Sequence, residues 1–172
     1  RCKAIVSGIL MSAGEARGIA PQITTVRTFL DGIISEWQST RLPGTIDYID
    51  RFGKDVAIVS DPALKQVIGN VIDNAVEVSP DWVAVIATRE HDALVIDVAD
   101  HGPGFNPEII AAFGQPYRST KGKPGGGLGL FLLVNVLRKM GGEAFAQNRD
   151  GGGAVVRLTL PLSTILYRGG EL

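Results

Sequence analysis

The run Ala93-Leu94-Val95-Ile96-Asp97-Val98-Ala99-Asp100-His101-Gly102-Pro103-Gly104-Phe105 decides how the chain is read. Its first half is rich in β-branched residues and reads as a strand. On the period of two, Leu94, Ile96, Val98 and Asp100 share one face. If that is the core face, Asp100 turns a carboxylate inward at the mouth of the core. Gly102 and Gly104 let the backbone turn there and approach a ligand with no Cβ in the way. A carboxylate against apolar walls needs a hydrogen-bond donor, and the exocyclic amine of a flat ring would serve. Taken alone, the same stretch reads equally well as a surface turn with an N-terminal Asp. The rest of the chain has to decide.

The chain has 172 residues, 45% of them apolar, with a formal net charge of -1. That length suits one compact domain with a short extra element. The near-neutral balance offers no electrostatic case for nucleic acid or an anionic membrane surface. No apolar run approaches the ~20 residues that cross a bilayer, and the start lacks a signal-peptide pattern. A single cysteine, Cys2, rules out an internal disulfide and fits a reducing cytosol. A start at Arg1 suggests a piece of a longer protein. The glycines cluster at Gly102–Gly104, Gly122–Gly129 and Gly151–Gly153, which marks specific loops.

Residues 1–13 carry Cys2, Ile5, Val6, Ile9 and Ala13 near one stripe at the helical period. Residues 14–21 break the pattern and read as a linker. Val26, Phe29, Leu30, Ile33, Ile34 and Trp37 then trace the apolar face of a helix. Two short strands, 45–50 and 55–59, are expected to form a hairpin around Arg51-Phe52-Gly53-Lys54.

Asp61-Pro62 opens the next helix, with Asp at the N-cap and Pro in the first turn. Leu64, Val67, Ile68, Val71, Ile72, Ala75 and Val78 form its core stripe, and Gln66, Asn70, Asp73, Asn74 and Glu77 its polar face. Asn70 and Asn74, four apart, project side by side. Asparagine is a mediocre helix former, so the pair is either a solvated face or a row of amide oxygens for a metal or phosphate. Ser79-Pro80 ends the helix. Adjacent strands follow at 82–88 and 93–99, then a short helix at 107–113 and a polar loop, 114–126. That loop reads as a mobile lid carrying Arg118, Lys121 and Lys123 over the site, or as ordinary charged surface.

Gly125-Gly126-Gly127-Leu128-Gly129-Leu130 leads into a helix with Leu130, Leu133, Val134, Leu137 and Met140 on its apolar face. Glycines at a helix N-terminus expose N–H groups where the helix dipole favours an anion. The spacing matches neither a P-loop nor a dinucleotide fingerprint. Gly141-Gly142 stops the helix, strands 143–148 and 154–160 form a last hairpin, and residues 163–172 are a tail of unassigned purpose. The order of elements predicts an α+β fold: a two-layer sandwich of a mixed sheet with helices on one face, the ligand between the layers under the lid.

The order Asn70-x-x-x-Asn74, Asp100-x-Gly102-x-Gly104, a loop after Phe113, and Gly125–Gly129 opening a helix resembles the N, G1, F and G2 boxes of sensor histidine kinases. These boxes belong to their catalytic, ATP-binding domain, of the superfamily that includes DNA gyrase, Hsp90 and MutL. The resemblance implies a Bergerat-type ATP-binding fold over residues 22–161, with 1–21 the end of a dimerisation helix and a linker, and 162–172 a C-terminal tail. It implies that Asp100 accepts from the adenine amine while Gly102 and Gly104 shape the pocket. Asn70 and Asn74 would hold Mg²⁺ and the ATP phosphates, and Gly125, Gly127, Leu128 and Gly129 would wrap the phosphates. Arg118 or Lys121 would steady the γ-phosphate.

Two positions depart from the pattern. Glu77 and Val78 stand where many such kinases carry Lys and then an aromatic residue, which removes one cationic phosphate contact. Asn70 stands where the superfamily's ATP hydrolases place a water-activating Glu, which favours a kinase over an ATPase. Arg1-Cys2 followed by Ile5, Val6 and Ile9 is similar to the dimerisation-helix end of the Reg/Prr-type redox-responding kinases. In that group the cysteine is associated with redox control, so Cys2 is a candidate redox site, or a structural half-buried thiol. Neither His91 nor His101 has the neighbours of a phospho-acceptor box. The implied activity is therefore transfer of the ATP γ-phosphoryl to a histidine on a separate dimerisation domain, for relay to a response-regulator aspartate. The implied full-length protein is a homodimer, cytoplasmic in this part and belonging to a membrane-bound bacterial sensor. A gyrase- or Hsp90-type ATPase, an anti-sigma-type serine kinase and a degenerate nucleotide-binding module are the alternatives.

Overall fold

A computed structural model describes residues 21–40, 45–113 and 126–169. In chain order the elements are β1 (Gln22–Thr25), α1 (Val26–Ser39), β2 (Ile46–Arg51), β3 (Ala57–Ser60), α2 (Pro62–Val78), β4 (Val83–Glu90), β5 (Ala93–Asp100), α3 (Pro107–Ala111), α4 (Gly126–Lys139), β6 (Glu143–Asn148) and β7 (Ala154–Pro161), followed by a 3₁₀ turn at Leu162–Thr164. Five strands make one mixed sheet in the order β2-β4-β5-β7-β6, and β1 pairs with β3 in a separate two-stranded sheet. Only β2 runs parallel to its neighbour; β4, β5, β7 and β6 pair antiparallel.

The core lies between the sheet and α1, α2 and α4. Val85 of β4 sits opposite Val98 of β5, which sits opposite Val156 of β7, so one row of β-branched side chains crosses three strands. Leu94, Ile96 and Val98 are buried on that face, as the period of two predicts. Phe29, Leu30, Ile33, Ile34 and Trp37 of α1 join them, with Leu133 and Leu137 of α4. Each such residue contributes roughly 1.5–3 kcal/mol by leaving water. The α+β sandwich with helices on one face is the fold expected from the order of elements.

Two local readings are corrected. The hairpin expected across 45–59 does not form: β2 joins the large sheet beside β4, while β3 joins β1. Arg27 of α1 holds the connection open, with Nε to Asp50 Oδ2, Nη2 to the Gly53 carbonyl, and its N–H to Asp55 Oδ1. Phe52, 4% exposed, is drawn into the core and so is unavailable to a tight turn. Val78, expected on the core stripe of α2, is 44% exposed, although Leu64, Val67, Ile68, Val71, Ile72 and Ala75 are buried. The segment after β7 packs back onto the domain. Leu162 and Ile165 are buried, Leu166 bridges to Ile58, and Tyr167 N donates to the Ala57 carbonyl.

Helix α2 begins as expected: the Asp61 side chain accepts from Ala63 N at 2.7 Å, and Pro62 follows. At its other end Ser79 Oγ donates to the Trp82 carbonyl and accepts from His101 N at 3.1 Å. The C-terminus of α2 is thereby tied to the residue after Asp100.

Candidate nucleotide site

Asp100 ends β5 and is 5% exposed. The strand period brings it to the core face beyond Val98, where the last sheet positions open toward α2. Its Oδ1 accepts from Gly102 N at 2.8 Å and from Ala154 N at 3.2 Å. Both of its side-chain hydrogen bonds among the described residues fall on Oδ1, so Oδ2 remains open to a donor. A carboxyl group buried in this way is tolerated because main-chain N–H groups partly replace water.

The glycine turn that follows is tightly enclosed. A Cβ on Gly102 would stand 2.9 Å from Val78 Cγ2 and 3.1 Å from Asp100 Oδ1. Gly104 has φ +79, and a Cβ there would stand 2.8 Å from Asn148 Oδ1. The turn lies against the C-terminal turn of α2. Val78, exposed on its outer side, stands directly beside Gly102 at this end of the helix.

Asn70, Asn74 and Val78 fall at i, i+4 and i+8 and form one ridge of α2 about 12 Å long. Gly129, in the first turns of α4, approaches the middle of that ridge: a Cβ on it would stand 3.5 Å from Asn74 Nδ2. Gly127 and Leu128 lie in the first turn of the same helix. The structure thus brings Asp100, Gly102, Val78, Asn74 and Gly129 into one continuous neighbourhood. Asn70 is one turn further on, and its Oδ1 accepts from Gln66 Nε2 at 3.1 Å. Asp73, on the same polar face, accepts from Trp37 Nε1 at 2.8 Å and belongs to the contact between α1 and α2. Arg118, Lys121, Gly125 and Cys2, with the lid and residues 1–13, lie outside the described residues.

The β6–β7 hairpin contributes a part of the site that local sequence patterns do not reveal. Ala154 N binds the Asp100 carboxylate, Arg149 Nη1 donates to the Asp100 carbonyl at 2.8 Å, and Asn148 binds Phe105. The Arg149 guanidinium also lies 5.2 Å from the centre of the Trp82 ring, and His101 stacks on Trp82 at 4.0 Å. Gly151–Gly153 was the one signal available, and all three adopt positive φ.

The Arg27 hydrogen bond, with that of Phe52 N, holds the Asp50 carboxyl below its ordinary value. Burial pushes Asp55 up, but hydrogen bonds from Thr25 and from the N–H groups of Arg27 and Val56 outweigh it and leave Asp55 lowered. Among the described residues no group of three or more His, Cys, Asp or Glu could hold a metal. No helix there is long and apolar enough to cross a membrane.

The sequence profile of the family described as histidine kinase-, DNA gyrase B-, and HSP90-like ATPase matches residues 60–164. The sensor histidine kinase component HK1 of Mycobacterium tuberculosis is 36% identical over 119 residues, covering 67% of this chain and 71% of that protein. The C4-dicarboxylate transport sensor protein DctB of Pseudomonas aeruginosa is 37% identical over 103 residues; the match covers 56% of this chain but only 17% of that longer relative. Among solved structures, the histidine kinase ThkA in complex with the response regulator protein TrrA is similar in fold. It has a TM-score of 0.70 at 20% identity, covering 95% of this chain and 48% of that one. The chain belongs to the histidine kinase-, DNA gyrase B- and HSP90-like ATPase family, as the ATP-binding catalytic domain of a sensor histidine kinase.

Proposed function

We propose that this chain binds ATP with Mg²⁺ and transfers the γ-phosphoryl to a histidine on a dimerisation domain, for relay to an aspartate of a response regulator. The observation that carries the reading is the buried Asp100 beside the glycine turn, with two main-chain N–H groups on Oδ1 and no hydrogen bond from the described residues on Oδ2. The adenine amine would donate to that oxygen. The ribose and phosphates would then run along the ridge toward Asn74 and Asn70, where Gly129 leaves room beside Asn74.

The neutral amide oxygens of Asn70 and Asn74 suit Mg²⁺, a hard ion that takes few protein ligands and completes its shell with phosphate oxygens and water. Asn70 Oδ1 accepts from Gln66 Nε2 and has a second lone pair for the ion. When bound, the ion would neutralise phosphate charge. The chain's own residues hold the base, line the ridge and present the start of α4 to the phosphates. Phosphoryl transfer needs mainly such positioning and charge neutralisation. Hydrolysis would need a base one turn before Asn74, and the amide of Asn70 cannot take a proton from water. The lid residues Arg118 and Lys121, with Gly125, would complete the phosphate site. ThkA's complex with a response regulator supports the regulator as a partner. ATP and a response-regulator partner fit a cytoplasmic activity, and in this reading the chain is the cytoplasmic part of a homodimeric, membrane-bound sensor.

Calorimetric titration with a non-hydrolysable ATP analogue, with and without Mg²⁺, tests the site. Binding that depends on Mg²⁺ and falls more than about tenfold in Asp100→Asn, where an amide replaces a charge-assisted acceptor, is expected. Phosphorylation of a histidine-bearing dimerisation domain supplied in trans tests the activity. Binding without such transfer would leave a nucleotide module and no kinase.

A further inference from the structure

We propose that Asn148, the last residue of β6, is a positioning residue that sets the adenine-recognition carboxylate, a role that rests on the nucleotide reading above. Asn148 Oδ1 accepts from Phe105 N at 2.7 Å and Asn148 Nδ2 donates to the Phe105 carbonyl at 2.9 Å. One amide therefore satisfies both main-chain groups of a single residue, which permits only one orientation of its oxygen and nitrogen. Phe105 closes the turn that begins at Asp100, 43 residues before Asn148 in the chain.

The two ends of that turn are held by different parts of one hairpin. At the near end Ala154 N and Arg149 Nη1 bind the Asp100 carboxylate and carbonyl. At the far end the Asn148 side chain binds Phe105 and packs on Gly104, where a Cβ would meet its Oδ1 at 2.8 Å. Gly102 and Gly104 make the backbone between the ends intrinsically loose. The path of the turn decides where Gly102 N lies, and Gly102 N is one of the two donors that aim Oδ1. His101 is held on the near side of Gly102 by Ser79 Oγ and the Trp82 ring. With the far end released, Gly102 N therefore keeps a restraint on one side only, and Ala154 N is the donor to the carboxylate held from both.

The consequence is selectivity for the base. A fixed carboxylate oxygen attracts a 6-amino purine and repels the 6-oxo group of guanine, so its discrimination depends on its being held still. Loosening the turn weakens the ATP contact and relaxes the rejection of GTP together.

The test uses the whole 172-residue chain as wild type, Asn148→Ala, Asn148→Asp and Asp100→Asn. Affinity is measured for Mg²⁺ complexes of non-hydrolysable ATP and GTP analogues, beside thermal unfolding and amide exchange at Gly102 and Phe105. Asn148→Ala, which loses two hydrogen bonds, is expected to weaken the ATP analogue about tenfold, narrow the preference over GTP and speed exchange at both amides. Asn148→Asp keeps the acceptor for Phe105 N and loses the donor, so it should fall between the two; it also carries the test if the alanine variant does not fold. An ATP affinity and base preference within twofold of wild type in a folded Asn148 variant overturns the proposal, even if thermal stability drops. If Asp100→Asn weakens binding and the Asn148 variants do not, only the role of Asn148 fails. No binding by the wild type overturns the nucleotide reading with it.

Discussion

Gly153 and Asp100 meet through their main chains: a Cβ on Gly153 would lie 1.9 Å from the Asp100 carbonyl oxygen and 2.8 Å from its carbonyl carbon. Gly153 also has φ +88, a region L side chains rarely enter. The close approach lets Ala154 N reach the Asp100 carboxylate from the next residue along. The β6–β7 turn is in this way packed against the proposed adenine-binding carboxylate.

Gly153→Ala should therefore cost on the order of 3 kcal/mol or more, because both backbone strain and a main-chain clash must be relieved. Gly151 has the same φ of +88 but open space around its Cα. Gly151→Ala should cost only the strain, about 1 kcal/mol. Urea unfolding of the two variants checks the difference, and equal losses would mean that Gly153 does not press on Asp100.

At Gly129 stability and binding should move in opposite directions. An added Cβ would make an ordinary contact of 3.5 Å with Asn74 Nδ2, so nothing needs to shift in the nucleotide-free protein. Alanine is a better helix former than glycine, and Gly129→Ala should stabilise the fold by up to about 1 kcal/mol. The methyl group would stand against the Asn74 amide, beside the proposed path of the phosphates. Affinity for the ATP analogue should fall about tenfold, the equivalent of one charge-assisted hydrogen bond. Unfolding and calorimetry on one preparation separate the two effects.

What could be read ahead of the structure depended on whether a pattern was local. Asp100 was legible because its side chain shares a period of two with Leu94, Ile96 and Val98, all buried with it. The α2 ridge was legible because 3.6-residue spacing places Asn70 beside Asn74. Partners far apart in the chain were not. β2 and β3 have hairpin-like spacing, but Arg27, more than twenty residues upstream, and the burial of Phe52 send them to different sheets. Asn148 and Arg149 carry no local mark of function, since only the pairing of β5 with β7 brings their turn over Asp100. Val78 fits the apolar stripe of α2 by period, but it sits at the end of the helix beside the glycine turn and is exposed.

The acid limb of stability should be set partly by Asp50 and Asp55. Both carboxyls lie below their ordinary value of 3.8 in the folded state, through the Arg27 side-chain bond at Asp50 and, at Asp55, hydrogen bonds that outweigh burial. In the unfolded chain they protonate first as pH falls. Their stabilisation is therefore complete above about pH 4 and is lost as pH drops through the lowered folded-state values. Asp50→Asn should be less stable than wild type at pH 7, and the gap should close toward pH 2. Denaturant unfolding at several pH values measures the gap, and one that stays constant would remove Asp50 from the acid limb.

Tyr48 should act on the alkaline side, with the opposite sign. Burial, and then the charge of Asp50, push its phenol up to about 12 from an ordinary 10.0. The unfolded chain releases that proton first, so the contribution is intact below pH 10 and declines as pH rises toward 12. The hydroxyl is also buried without a hydrogen-bond partner among the described residues. Leaving such a group unpaired costs about 1 kcal/mol, so Tyr48→Phe should be more stable than wild type by about that amount at pH 7. Between pH 10 and 12 its advantage should widen, because phenylalanine has no proton for the unfolded chain to lose. Stability curves for the two proteins over that range decide it. An advantage that stayed constant with pH would mean that the folded state ionises Tyr48 as readily as the unfolded chain does.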